Sequence, residues 1–271
     1  MYAIYYVLFG LLPYVVAITF VIGVAYRCLN WVSTKGLTGL YNVNLGLYEH
    51  GFISTSKDVL KRIFLFYTLP GKDKDNALFA GSFMFHWGIW IVLLGHLGII
   101  IPENVLSEYF GITPEVHHAL ALYIGGAGGL MALAGLLILM YRRFVGSSAK
   151  LEIVNSYKIN IPVNKFSYID DFFADFLLLA IIILGLMQTL GITPFYPSYI
   201  QSVSMWMYSL ITFHPEISYI VSKPILQAHA LLAMILIAYF PWGKLIHPFS
   251  YLFMPTISKP SIKIEYGGEE R

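Results

Sequence analysis

The chain has 271 residues, 58% of them hydrophobic and 12% charged, and its mean hydropathy is +0.69. That balance excludes an ordinary soluble domain and indicates a membrane protein; a net charge of +2 with the basic residues segregated by loop implies no nucleic-acid partner. The single cysteine, Cys28, excludes an internal disulfide, a cysteine-ligated iron–sulfur cluster and a c-type haem attachment within this chain.

A spanning helix needs about 20 apolar residues to cross roughly 30 Å of hydrocarbon. Five segments reach that length, at residues 3–25, 80–101, 119–140, 172–192 and 225–246. The first has no positively charged flank before it and is long enough to span, so it reads as a membrane helix rather than a cleaved signal. Between the first two spans, residues 56–69 (SKDVLKRIFLFYTL) read as an amphipathic helix capped by Ser56. Lys57, Lys61 and Arg62 mark its polar side, which suits the inner membrane surface or a docked partner. The shorter apolar run at 202–213 follows Pro197 and reads as lying on the outer surface. The expectation is an all-α membrane protein, one domain over residues 1–271, with five transmembrane helices.

Loop charge gives the expected orientation. Arg27, Lys35, Lys57, Lys61, Arg62, Lys72 and Lys74 fall in loop 26–79. Loop 102–118 has no Lys or Arg but contains Glu103, Glu108 and Glu115. Arg142, Arg143, Lys150, Lys158 and Lys165 fall in 141–171, and Lys244, Lys259, Lys263 and Arg271 near the C-terminus. Only Lys223 falls on the other side, so sixteen of the 17 basic residues share one. The positive-inside rule makes that side cytoplasmic, with the N-terminus outside and the C-terminus inside.

Four histidines lie within two of the apolar segments. His86 and His96 bracket FHWGIWIVLLGH; His229 and His247 bracket HALLAMILIAYFPWGKLIH. Ionisable side chains at membrane depth are costly and usually functional. Two on each of two helices is a pattern that holds two stacked haems, each iron between imidazoles of facing helices; the alternative is core histidines bonded to backbone carbonyls. Segments 2 and 5 run antiparallel, so His96 pairs with His229 at the outer end and His86 with His247 at the inner. Eighteen residues make five whole turns, which places His229 and His247 on one helix face. A depth mismatch remains: about 27 Å separates that pair along a helix and about 15 Å separates His86 from His96. Tilt, or a bend at Pro241, would absorb it. Gly88, Gly95 and the IGGAGG run at 124–129 allow close approach of either a helix or a porphyrin.

Other histidines invite assignment. His117 and His118 stand beside Glu115 where the outer loop enters segment 3, and fit either a proton-accepting quinol site or ordinary surface positions. His214 reads as a loop residue and His50 as structural. Arg142 and Arg143 suit inner-side anchoring or a haem propionate.

The motifs FHWGIWIVLLGH, PEVHHALALYIGGAGG, YRRF, ADFLLL, TFH and FPWGKLIH together resemble the gamma subunit of respiratory nitrate reductase, a membrane cytochrome b. The resemblance runs from segment 2 to the end. It implies iron ligation by His86 with His247 at an inner haem b and by His96 with His229 at an outer one. It implies quinol oxidation near the outer haem, and electrons passed inward to an iron–sulfur subunit and a catalytic subunit of a respiratory complex. His117 stands where the family has a lysine linked to quinol binding. Loop 26–79 is longer than in that subunit and is similar to the cytochrome b subunits of heterodisulfide reductases and of the sulfite-reduction transmembrane complex. The expectation is therefore a multi-pass cell-membrane oxidoreductase subunit with two haem b groups, quinol as substrate and soluble partners in trans. The alternatives are a heterodisulfide reductase-like or sulfur-metabolism subunit and, from another class, a non-redox anchor or transporter.

Overall fold

The computed structural model describes residues 2–33, 52–66, 76–101, 103–145, 148–153, 157–162, 167–192 and 199–250. His50, residues 34–51 and 67–75 of loop 26–79 and the C-terminal basic residues after Ser250 lie outside the described residues.

Helix α1, Tyr2–Ser33, is the first span. It includes a π-helical turn at Val7–Leu11, just before Pro13, whose missing N–H breaks the regular ladder. Helix α2, Phe52–Leu65, follows. It begins four residues before the expected cap, so Ser56 lies inside the helix and caps nothing. Phe66 ends it at a positive φ of 50°, the left-handed region where helices commonly stop. Helix α3, Asn76–Ile100, is the second span, and the short α4, Glu103–Phe110, follows it. Helix α5, Pro114–Val145, is the third span; Thr113 caps it, accepting the Val116 N–H.

A two-stranded antiparallel hairpin comes next, β1 (Ser148–Ile153) with β2 (Tyr157–Pro162). The all-helical expectation therefore holds for the apolar segments but not for this polar connection. Helix α6, Ile169–Thr189, is the fourth span. Helices α7 (Tyr199–Ile211) and α8 (Ser218–Val221) lead to α9, Pro224–Tyr239.

Among the described residues four helices are long and apolar enough to cross a membrane, and a fifth crossing needs a broken pair. The fifth segment is not one helix. After Tyr239 the chain turns, continues as a 3-10 turn at Lys244–Ile246 and enters α10, His247–Ser250, bent 77° from α9. Pro241 cannot continue the hydrogen-bond ladder, and Trp242 and Gly243 donate instead to the Tyr239 carbonyl. The bend is seated: a Cβ on Gly23 of α1 would lie 2.6 Å from Pro241 Cβ.

Helix α5 packs on α3 and α6, and α9 packs on α6 and α1. Glycines set the α3–α5 crossing. A Cβ on Gly88 would lie 2.7 Å from Ala132 Cα, and one on Gly135 2.8 Å from Phe85 Cα. Backbone meets backbone there, so Gly88 and Gly135 serve helix packing. One core gathers Ala132, Leu136, Met140, Ile182 and Leu186. A second gathers Phe9, Trp206, Ile217, Ile220 and Leu226 at the opposite end from the Arg143 turn. Helix α7 packs into this second core. Tyr199, Ile200, Val203, Trp206 and Leu210 are buried, and Trp206 Nε1 donates to the Phe9 carbonyl at 2.9 Å.

Candidate functional site

The four span histidines meet in the pairs expected from antiparallel topology. The His96 and His229 rings lie 6.3 Å apart between centroids and nearly parallel, at 20°. The His86 and His247 rings lie 5.9 Å apart at 78°. His247 reaches His86 because of the bend. The shared helix face inferred from the 18-residue spacing does not exist, since α9 ends at Tyr239. The bend itself removes the depth mismatch.

Each ring is held by a backbone carbonyl at Nδ1. His86 Nδ1 lies 2.7 Å from the Ser82 oxygen and His96 Nδ1 2.7 Å from the Val92 oxygen, each one turn back on α3. His229 Nδ1 lies 3.1 Å from the Ile181 oxygen on α6, and His247 Nδ1 3.1 Å from the Lys244 oxygen. A carbonyl only accepts, so each Nδ1 donates and the neutral lone pair sits on Nε2. That is the tautomer of a metal-ligating histidine held from behind.

A haem iron fits between such rings. Bonds of about 2 Å from a metal to each imidazole nitrogen set ring centroids about 6 Å apart. Among the described residues no group of three or more His, Cys, Asp or Glu gathers as a metal cluster. No dense backbone packing joins α3 to α9 among the described residues, so the histidine rings reach across the space between these helices.

Two neighbours of the pairs carried no obvious sequence signal. Gly185 of α6 faces His229, and a Cβ there would lie 3.2 Å from the ring Cε1. A side chain at 185 would displace the imidazole; the mid-helix glycine of LGLMQ is the trace of that need. Phe66 lies 5.1 Å from His86 between ring centroids and stacks with Trp90 at 6.2 Å. Trp87 Nε1 donates to the Phe64 carbonyl at 2.9 Å, tying α2 to α3 beside that pair.

His117 is buried; its Nδ1 lacks a hydrogen-bond partner among the described residues and lies 3.9 Å from Glu103 Oε1. It fills the space over Gly98, where a Cβ would lie 3.0 Å from its Nε2. Gly98 is two residues from His96, so His117 stands near the His96–His229 end. His118 is half-buried. His214 is exposed, with Nδ1 2.7 Å from its own Thr212 carbonyl oxygen. Arg143 is an interhelical contact: it pairs with Asp171 at 3.3 Å and Asp175 at 3.1 Å, both on α6.

The family model of the nitrate reductase gamma subunit matches residues 73–259, which contain all four paired histidines. The nitrate reductase gamma chain of Bacillus subtilis is 28% identical over 90% of this chain and 91% of its own length. The Hdr-like menaquinol oxidoreductase cytochrome b-like subunit of Archaeoglobus fulgidus is 26% identical over 94% of this chain and 80% of its own. The nitrate reductase-like protein NarX of Mycobacterium tuberculosis is 30% identical over 68% of this chain, which spans 27% of that longer protein. With four to five apolar helices of spanning length, the chain is a multi-pass membrane protein, and it belongs to the nitrate reductase gamma subunit family of membrane electron-transfer subunits.

Proposed function

We propose that the chain is a dihaem cytochrome b that takes electrons from quinol and delivers them to a soluble module on its basic side. The observation that carries this reading is the pair of facing histidine pairs, each ring held at Nδ1 by a carbonyl. His96 with His229 would hold one haem b, and His86 with His247 the other. When bound, the haems would supply one-electron relay centres across the bilayer, held by these four histidines.

The protein's own part is positional. The carbonyls of Ser82, Val92, Ile181 and Lys244 fix ring tautomer and aim. Gly185 leaves room for His229 and the bend at Pro241 brings up His247. His117, near the His96 end, is placed to accept a proton from a quinol hydroxyl, with Glu103 beside it to pass the proton on. His118 adjoins this site. By the positive-inside rule this end is external, so protons leave outside while electrons move inward. The inner end presents α2 and the Phe66–Trp90 rings beside His86, which suits an iron–sulfur subunit docked there, with a catalytic subunit beyond it. The Archaeoglobus relative supports a second reading of the partner, a heterodisulfide reductase-like module.

The test is quinol-driven reduction of the purified chain in vesicles, followed by a reduced-minus-oxidised spectrum. Full b-type reduction is expected. A b-type spectrum that quinol leaves unchanged refutes the quinol site, and no b-type absorbance at all refutes the redox reading in favour of an anchor or transporter.

A further inference from the structure

A charged cluster at the basic end leads directly into the His86–His247 pair. Arg143, in the last turn of α5, reaches Asp175 Oδ2 at 3.1 Å and Asp171 Oδ2 at 3.3 Å. Lys244, in the 3-10 turn after the bend, donates from Nζ to the same Asp171 oxygen at 2.6 Å and lies 4.9 Å from the Tyr168 ring centre. That oxygen also accepts the Tyr168 N–H at 2.9 Å, closing the capping box of α6. The Asp171 side chain is only 11% exposed. One carboxylate therefore joins the end of α5, the start of α6 and the segment beyond the bend. Lys244 carries the link onward, because its backbone carbonyl accepts the Nδ1–H of His247.

We propose that Asp171 and Lys244 are positioning residues that lock the turn after the bend so that His247 faces His86. The proposal rests on the reading that His247 holds an iron. A break of 77° leaves α10 without a continuous helical ladder from α9, and four residues cannot hold a direction alone. Pro241 on Gly23 anchors the near side of the turn, and Lys244 on Asp171 anchors the far side. An ion pair whose lysine is exposed adds little to overall stability. Its effect here is on direction. Without Lys244 the carboxylate keeps Arg143, so the α5–α6 junction stands while the turn is released. Lysine at this site ties the turn by charge, and arginine retains that tie.

The experiment uses the full haem-loaded chain with Lys244→Met, Lys244→Arg and Asp171→Asn. In Lys244→Met, the low-spin paramagnetic resonance signal of the haem at His86–His247 is expected to shift. That haem should also pass to a haem-free globin roughly 10-fold faster, the lower end of the cost of a lost ligand-orienting partner. The signal of the His96–His229 haem should stay unchanged, and Lys244→Arg should restore wild-type behaviour. Asp171→Asn should show the same selective shift, and it decides the question if Lys244→Met does not assemble. Wild-type signals and release rates in both neutral variants would overturn the proposal, as would equal disturbance of both haems. Absence of any His247-dependent low-spin signal in the unsubstituted chain would instead overturn the haem reading itself.

Discussion

Replacing His96 or His229 with alanine is expected to remove one and the same haem, and replacing His86 or His247 the other. The rings of each pair lie 6.3 Å and 5.9 Å apart between centroids, so each pair would share one iron. Removal of one imidazole leaves its partner as a single axial ligand, which does not hold a low-spin haem. Haem content should fall by half in all four variants, with two distinct difference spectra sorted by pair. Gly185→Leu should copy His229→Ala, because the added side chain enters the space of that ring and pulls it from the Ile181 carbonyl. If His86→Ala and His229→Ala lost the same spectral component, the pairing would be wrong.

The second large effect is expected at His117. His117→Ala should leave haem content unchanged while the rate of haem reduction by a quinol analogue falls about 10²-fold, the lower range for loss of a general base. The buried ring has an Nδ1 with no hydrogen-bond partner among the described residues, with Glu103 3.9 Å away and the Gly98 backbone beneath it. Stopped-flow reduction in reconstituted vesicles checks this. Full-speed reduction in the variant would remove His117 from the mechanism. Reduction that persisted when only the basic face met quinol would reverse the assigned polarity.

Much of this arrangement was legible in the sequence, because membrane helices announce themselves by length and because antiparallel topology alone dictates which histidines meet. The spans at 80–101, 119–140 and 172–192 fall inside or close to α3, α5 and α6. The fifth segment misled for a physical reason. Apolar residues continue past Pro241, so hydropathy sees one helix where the missing N–H forces a turn, and the helical-face argument for His229 and His247 failed with it. The 27 Å against 15 Å mismatch was the correct warning. Ser56 has the chemistry of a cap, but α2 begins at Phe52. Helix α7 is too short to span, and burial of Trp206 on Phe9 makes it part of the core at that end, a long-range contact no local pattern shows. The hairpin at 148–162 alternates apolar Leu151, Ile153, Ile159 and Ile161 with polar neighbours. That period of two is a strand signal hidden in a segment read only for its charge. Gly185 and the Asp171–Lys244 link join residues distant in sequence, and no local pattern announces them.

The number of haems per polypeptide follows from a pyridine haemochrome assay of the purified chain against its protein concentration. Two b-type haems per chain, both low-spin in the oxidised state, are predicted by the two carbonyl-held histidine pairs. One haem, or none, would mean that the two histidine pairs do not each hold an iron.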